Sequence, residues 1–269
     1  MKIFFICVLR FFWDISPKPL KGFFDLPVRG MIVETDVKFM IRTLFDYFIF
    51  SSLYEEQVRS AFQFREGMVF LDIGAHIGKY TLRAGMRVGK RGKIIAVEPN
   101  RDNFAFLVKN IEINGLRNCV PLNIAAYCFN GTATLFSGPN SGRNSMKEDF
   151  GNGSCRVKAG ALDAVLKEMN LEKADLVKVD VERTEFEVLK GLESTLLNKS
   201  PVVIVEVLKR DERRVIEYMH DLGYEERLLY TYSPFIGGLL YYRFKKAEGV
   251  NGTELSSLAS FSSDFKPGK

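Results

Sequence analysis

The chain has 269 residues, 46% hydrophobic and 26% charged, the composition of ordinary globular material with enough apolar content for one large domain or a domain with an extension. Its formal charge of +5 is spread along the chain with no basic block, which permits an acidic partner but speaks against nucleic-acid binding. The four cysteines have no CxxC spacing and only two histidines are present, so neither a zinc site nor a disulfide framework is expected, and a reducing compartment fits.

Residues 1–13 are strongly apolar, with Lys2 and Arg10 as the basic positions. The run is shorter than the roughly 20 residues a spanning helix needs. Arg10 interrupts it and no small-residue cleavage site follows, which disfavours a signal peptide. Two readings stay open: a helix packed on the domain, or one lying in a membrane interface through residues 1–15. Pro17, Pro19, Gly22, Pro27 and Gly30 mark an irregular linker. A short strand is expected at 31–35, a buried helix at 37–50, and a further helix from about Glu56 to Phe64, stopped at Gly67.

From residue 69 the pattern alternates. Strands are expected at 69–73, 93–97, 120–124, 174–181 and 202–207, with helices at 79–88, 102–114, 162–169, 185–197 and 211–222. An extra strand or hairpin is expected at 132–136, and 137–153 reads as the longest loop. Two last strands, 226–232 and 239–244, have no helix between them. The fold class is therefore α/β: a seven-stranded, mostly parallel, Rossmann-like sheet with an antiparallel edge hairpin. Residues 1–50 form an N-terminal extension, mostly helical, 51–247 the main domain, and 248–269 a Ser-rich tail expected to be disordered.

The first strand carries Asp72 and breaks into a loop bounded by Gly74 and Gly78, after which a helix begins. Strand, glycine turn and helix start make a ligand cradle, since the glycines admit a ligand to the backbone and the helix start offers unpaired N–H groups. The second strand is followed by Glu98, placed to accept from ribose hydroxyls. The loop lacks the middle glycine of a dinucleotide fingerprint, and a carboxylate at Asp72 suits an ammonium or sulfonium better than a pyrophosphate. S-adenosylmethionine meets these demands better than NAD.

The chain resembles the FkbM-type S-adenosylmethionine-dependent methyltransferases over most of its length. Tyr54 with Glu55, the run Asp72-Ile73-Gly74-Ala75-His76-Ile77-Gly78 with Tyr80 and Thr81, Glu98 with Pro99, and Asn110 with Asn114 are similar to that family's motifs in order. Ala125 with Gly131, Leu162 with Asp163, the run from Lys178 to Glu182 with Glu185, and Val205 with Glu206 continue the series. The resemblance implies a donor site built from Glu55, Asp72, Gly74, Ala75, His76, Gly78, Tyr80, Thr81, Glu98, Pro99 and Ala125. It also implies methyl transfer to a hydroxyl on a sugar, glycolipid or small natural product.

An alcohol is a weak nucleophile and a nearby base helps its attack. Asp180 and Glu182, two apart at a strand end, are the candidate catalytic residues. Two departures from the family pattern stand out. Arg183 occupies the place of its usual glycine, where a long cation beside Glu182 could pair with it, and His76 replaces its usual asparagine as a loop residue satisfying backbone groups. The basic residues Arg83, Arg87, Lys90, Arg91 and Lys93 read as a solvated turn. No metal is expected at Asp180, Glu182 and Glu206, because no histidine accompanies them. A cytosolic donor implies a cytoplasmic protein, in peripheral contact with a membrane if residues 1–15 bind one. Alternatives are an N- or RNA-methyltransferase of the same fold, or a degenerate donor-binding module plugged by Arg183.

Overall fold

In the computed structural model, which describes residues 27–34, 36–50, 56–171, 173–231 and 238–247, the segment 37–50 is not one helix. β1 (Pro27–Glu34) and β2 (Val37–Thr43) pair as an antiparallel hairpin, and only α1 (Leu44–Phe50) is helical. Val37, Phe39 and Ile41 are buried while Lys38 between them is exposed, the two-residue period of a strand. The extension is thus not mostly helical in its described part. Residues 1–26, Tyr54 with Glu55, and the tail from 248 lie outside the described residues.

α2 (Glu56–Ser60) ends well before Phe64, because Phe62 and Phe64 leave the helix to pack on Phe70 of the next strand, at 6.1 and 5.1 Å between ring centroids. The expected alternation then holds: β3 (Val69–Ile73), α3 (Lys79–Arg87), β4 (Lys93–Val97), α4 (Arg101–Ile113) and β5 (Cys119–Leu122). Asn100 caps α4 by accepting from the N–H groups of Asp102 and Asn103. β6 (Ala125–Ala126), β7 (Gly131–Phe136) and β8 (Ser154–Gly160) form a separate small sheet in the order β6-β8-β7. β8 was not expected: Ser154, Cys155 and Arg156 are all exposed, so its first half carries no alternation.

After α5 (Leu162–Glu168) and β9 (Leu176–Val179), the expected helix 185–197 is two helices, α6 (Glu185–Lys190) and α7 (Glu193–Lys199). The break falls at Gly191, where a Cβ would stand 2.0 Å from the Tyr127 carbonyl oxygen and whose own carbonyl accepts from Asp163 N at 2.9 Å. β10 (Val202–Leu208), α8 (Lys209–Asp221), β11 (Tyr224–Thr231) and β12 (Leu239–Lys246) complete the chain. The seven-stranded sheet runs β11-β12-β10-β9-β3-β4-β5, with β12 antiparallel to both neighbours and the pairs from β10 to β5 parallel.

Both faces of the sheet are covered. On one side Phe39, Phe48 and Phe50 of the N-terminal segment share a core with Phe70, Leu82 and Ile94. On the other, Leu71, Val177 and Val205 pack with Leu189, Leu196 and Met219. Each such side chain contributes about 1.5–3 kcal/mol by leaving water. Arg83 is not part of a solvated turn: it is buried, donates to the Phe50 carbonyl at 2.8 Å and lies over the Phe39 ring, so it ties α1 to α3. Among the described residues no helix is long and apolar enough to cross a membrane.

Candidate active site

A cleft of about 200 Å³ opens beyond the carboxyl ends of β3, β4, β9 and β10, where parallel sheets bind ligands. Its floor is the turn after β3. Gly74 has φ +78, and a Cβ there would stand 1.7 Å from the Asp180 carbonyl oxygen, so only glycine lets this turn pass the end of β9. The next residues use their N–H groups within the fold. Gly74 and Ala75 both donate to the Val97 carbonyl at 3.0 Å, and His76 donates to Glu98 Oε2 at 2.9 Å. The amides of Gly74, Ala75 and His76 are therefore spent within the fold, whereas the cradle was expected to offer unpaired N–H groups to a ligand.

Of the residues expected at a donor site, Gly74, Ala75, His76, Tyr80, Glu98, Pro99 and Ala125 line this cleft, as do Asp180 and Glu182. Three do not. Asp72 is buried beneath the loop, where Thr81 donates its hydroxyl to Asp72 Oδ2 at 2.6 Å and Lys178 Nζ stands 3.5 Å from Oδ1. Thr81 is spent on that bond, and Gly78 serves as the N-cap of α3 with φ 104. Glu55 lies outside the described residues.

Glu98 faces the cleft with a nearly buried carboxylate held by the N–H groups of His76 and Asn100, each at 2.9 Å. Burial pushes its proton affinity up to about 7, against the opposing pull of those hydrogen bonds. His76 sits at φ 51, a left-handed conformation for which histidine, like the family's asparagine, is enriched among non-glycine residues. Its Nε2 meets Ser141 Oγ at 3.0 Å and Arg42 Nη2 at 3.4 Å. Burial pushes it down to about 4, with Asp46 opposing and Arg42 and Lys178 assisting, so its ring is neutral near pH 7.

Lys178 was not singled out as a site residue, although a lysine inside an apolar strand signals a buried charge in need of partners. It bridges Asp72 at 3.5 Å and Asp180 at 3.0 Å and donates to the Gly74 carbonyl at 3.1 Å. Burial alone would lower its proton affinity, but Asp180 and Asp72 outweigh burial and raise it. The two candidate catalytic acids thus differ. Asp180 is bound to this ammonium, whereas the cation nearest the Glu182 carboxylate among the described residues is Arg143, with Nε at 3.8 Å. Burial pushes Glu182 up to about 8; Arg143 opposes this, and Asp180, Glu185 and Glu148 reinforce it. Glu206 also lines the cleft and accepts from the Tyr241 hydroxyl.

Arg183 turns away from Glu182. It pairs with Glu148 at 3.2 Å and approaches Asp211 at 4.0 Å, and it does not line the cleft. Glu182 and Arg183 have φ 53 and 86, so the place of the family's glycine is a left-handed position that arginine occupies under strain. The loop Ser141–Asn144 and Phe45 with Ile49 of α1 close the cleft from above, and no sequence motif marked them. Among the described residues no cluster of three or more His, Cys, Asp or Glu is arranged to hold a metal ion.

A family model described as the Methyltransferase FkbM domain matches residues 72–226. A hexuronic acid methyltransferase, AglP of Haloferax volcanii, is 29% identical over 142 residues, covering 53% of this chain and 56% of its own length. A probable cobalt-precorrin-6B C(15)-methyltransferase of Sulfurisphaera tokodaii is 27% identical over 155 residues, covering 52% of this chain and 79% of its own. Thus the chain spans little more than half of AglP. Among solved structures, an FkbM methyltransferase from Methylobacillus flagellatus superposes with TM-score 0.52 at 18% identity, over 72% of this chain and 47% of that one, which speaks to the fold. The motifs, the sheet order and the family match together establish that this chain belongs to the FkbM methyltransferase family.

Proposed function

We propose that the chain is a methyltransferase that uses S-adenosylmethionine to methylate a hydroxyl on a sugar, glycolipid or small natural product. The observation that carries this reading is the pairing of Glu98 with Glu182 along one cleft, one carboxylate suited to holding the donor and the other to taking a proton. A carboxylate has about four acceptor sites. Two at Glu98 are met by backbone N–H groups at 2.9 Å and a third by the Asn103 amide at 3.4 Å, which leaves capacity for a hydroxyl of a ribose. Val97, Ala125 and Ala126 offer an apolar wall for an adenine ring, and Asp180 a charge for an ammonium group. These residues fit the donor, although Asp72 does not take part.

When bound, the donor supplies an electrophilic methyl group on a sulfonium. Glu182 accepts the proton of the acceptor hydroxyl at its carboxylate, which has no hydrogen bond among the described residues and a proton affinity close to working pH. Lys178 bridges Asp72 and Asp180, leaving the trio one net negative charge, and so fixes the floor of the site. Phe45, Ile49 and the Ser141–Asn144 loop exclude water and hold the partners in line. A sugar-type acceptor accords with AglP, which is named a hexuronic acid methyltransferase. Because Arg183 stays out of the cleft, nothing in the geometry favours a plugged, non-catalytic module.

The test is to incubate the protein with labelled donor and a fractionated extract of its source, after calorimetric titration with S-adenosylhomocysteine. Binding of that product, with label in a glycan, lipid or small-molecule pool, is expected. Label in RNA would replace the acceptor assignment, and absence of binding would overturn the donor.

A further inference from the structure

Several cations near the cleft are bonded to carboxylates. Lys147 meets Glu187 at 2.8 Å, Lys178 meets Asp180 at 3.0 Å, Arg183 meets Glu148 at 3.2 Å and Arg214 meets Glu187 at 3.4 Å. Arg143 lines the cleft, yet its nearest carboxylate, Glu182, stands at 3.8 Å, beyond hydrogen-bond reach. Its other contact is a cation–π approach to Phe150 at 5.6 Å. A guanidinium carries five N–H donors in a rigid fork, and none of those on Arg143 is hydrogen-bonded among the described residues.

The backbone that carries Arg143 is nonetheless held firmly. Arg143 N donates to the Asn140 carbonyl at 3.2 Å, and the Ser141 carbonyl accepts from Asn103 at 2.8 Å and Asn144 at 2.9 Å. His76 grips the Ser141 hydroxyl at 3.0 Å, and Gly142 is packed so that a Cβ would meet Phe45 at 3.0 Å. A fork with open donors on a fixed backbone, facing a cleft, matches a planar or tetrahedral anion that accepts two parallel hydrogen bonds.

We propose that Arg143 anchors an anionic group, a carboxylate or a phosphate, carried by the acceptor beside the hydroxyl that is methylated. This rests on the methyltransferase reading and narrows its substrate class. It also gives Arg143 a second effect. Its charge holds down the proton affinity of Glu182, and an anion seated on the fork offsets that charge. The base therefore strengthens only when the acceptor is in place.

The experiment loads the protein with S-adenosylhomocysteine and titrates it with D-glucuronate, glucose 6-phosphate and glucose. The anions are expected to bind about tenfold or more tightly than glucose. Arg143→Ala is expected to remove that preference and Arg143→Lys to keep part of it, with S-adenosylhomocysteine binding and melting temperature near native. Tighter binding of glucuronate identifies a carboxylate, and of glucose 6-phosphate a phosphate. Equal binding of all three sugars, no binding of either anion, or a preference that survives in Arg143→Ala overturns the proposal. Failure of the native protein to take up S-adenosylhomocysteine at the loading step instead marks failure of the methyl-donor reading. Arg143→Gln, which keeps the side-chain length, replaces Arg143→Ala if the latter unfolds.

Discussion

Asp72 and Lys178 stand opposite each other in the parallel ladder of β3 and β9, and the ammonium of Lys178 lies 3.5 Å from the Asp72 carboxylate. Both are almost fully buried. The pair turns the acid expected to face a ligand into part of the floor beneath it. Replacing Lys178 by Met takes the cation away from the buried Asp72 and removes an ion-pair partner of Asp180. A loss of about 3–5 kcal/mol is expected in urea unfolding. A loss under about 1 kcal/mol would mean that the pair is dispensable.

Asn110 joins the N-terminal hairpin to α4 in a similar way. Its buried amide accepts from Met40 N at 2.7 Å and donates to the Met40 carbonyl at 3.3 Å and the Ile77 carbonyl at 2.9 Å. It therefore acts as a strand edge for β2. Asn110→Ala strands these backbone groups, and a destabilisation of about 2–4 kcal/mol is expected from denaturant titration. Amide exchange at Met40 is expected to speed up in the same variant.

The site groups make stability depend on pH. Glu98, Glu182 and Glu185 bind protons up to about 7, 8 and 7 in the folded chain, each against 4.5 as the ordinary value. Burial is the leading cause in all three. Folded pKa values above the unfolded ones favour folding fully below pH 4.5, and that contribution is lost as pH rises through 7 to 8. His76 runs the other way, about 4 in the fold against 6.5, and its effect appears only as pH falls below 6.5. The melting temperature is thus expected to fall between pH 6.5 and 8, and less steeply in Glu185→Gln. A rise over that interval would contradict the assignment.

Glu182 as base predicts a split between binding and turnover. Glu182→Gln should lower kcat by about 10²–10⁴ while leaving S-adenosylhomocysteine affinity close to native. In the native protein kcat should climb as pH approaches about 8, because only the ionised carboxylate takes the proton. A variant with native kcat at saturating donor and acceptor would remove Glu182 from the chemistry.

Arg183 invites a third kind of substitution. Its φ of 86 is costly for any side chain, and its ion pair with Glu148 is partly exposed. Arg183→Gly relieves about 1 kcal/mol of strain and gives up about 0.2–1 kcal/mol of ion pair, so unfolding free energy should stay within about 1 kcal/mol of native. Arg183→Val, β-branched at a left-handed position, should destabilise clearly more in the same assay.

The strands of the large sheet from Val69 onward and the helices between them were legible in the sequence, apart from the break at Gly191, because each apolar run has the length and flanking turns of one strand or helix, and the glycine turn after β3 announced the cradle; β8 was not, since its first half is exposed. The motifs likewise led to the cleft-lining Glu98, Asp180 and Glu182. Residues 37–50 were misread because a continuous apolar run does not show which side chains meet a core; only packing against Phe70 and Ile94 exposes the strand period. Tertiary structure alone decided which acid faces the cleft and which is neutralised beneath it, since that depends on Lys178 arriving from a strand far along the chain. It also decided the cover of the site: Phe45, Ser141 and Arg143 come from segments without a motif, brought over the sheet by contacts that no local sequence pattern encodes.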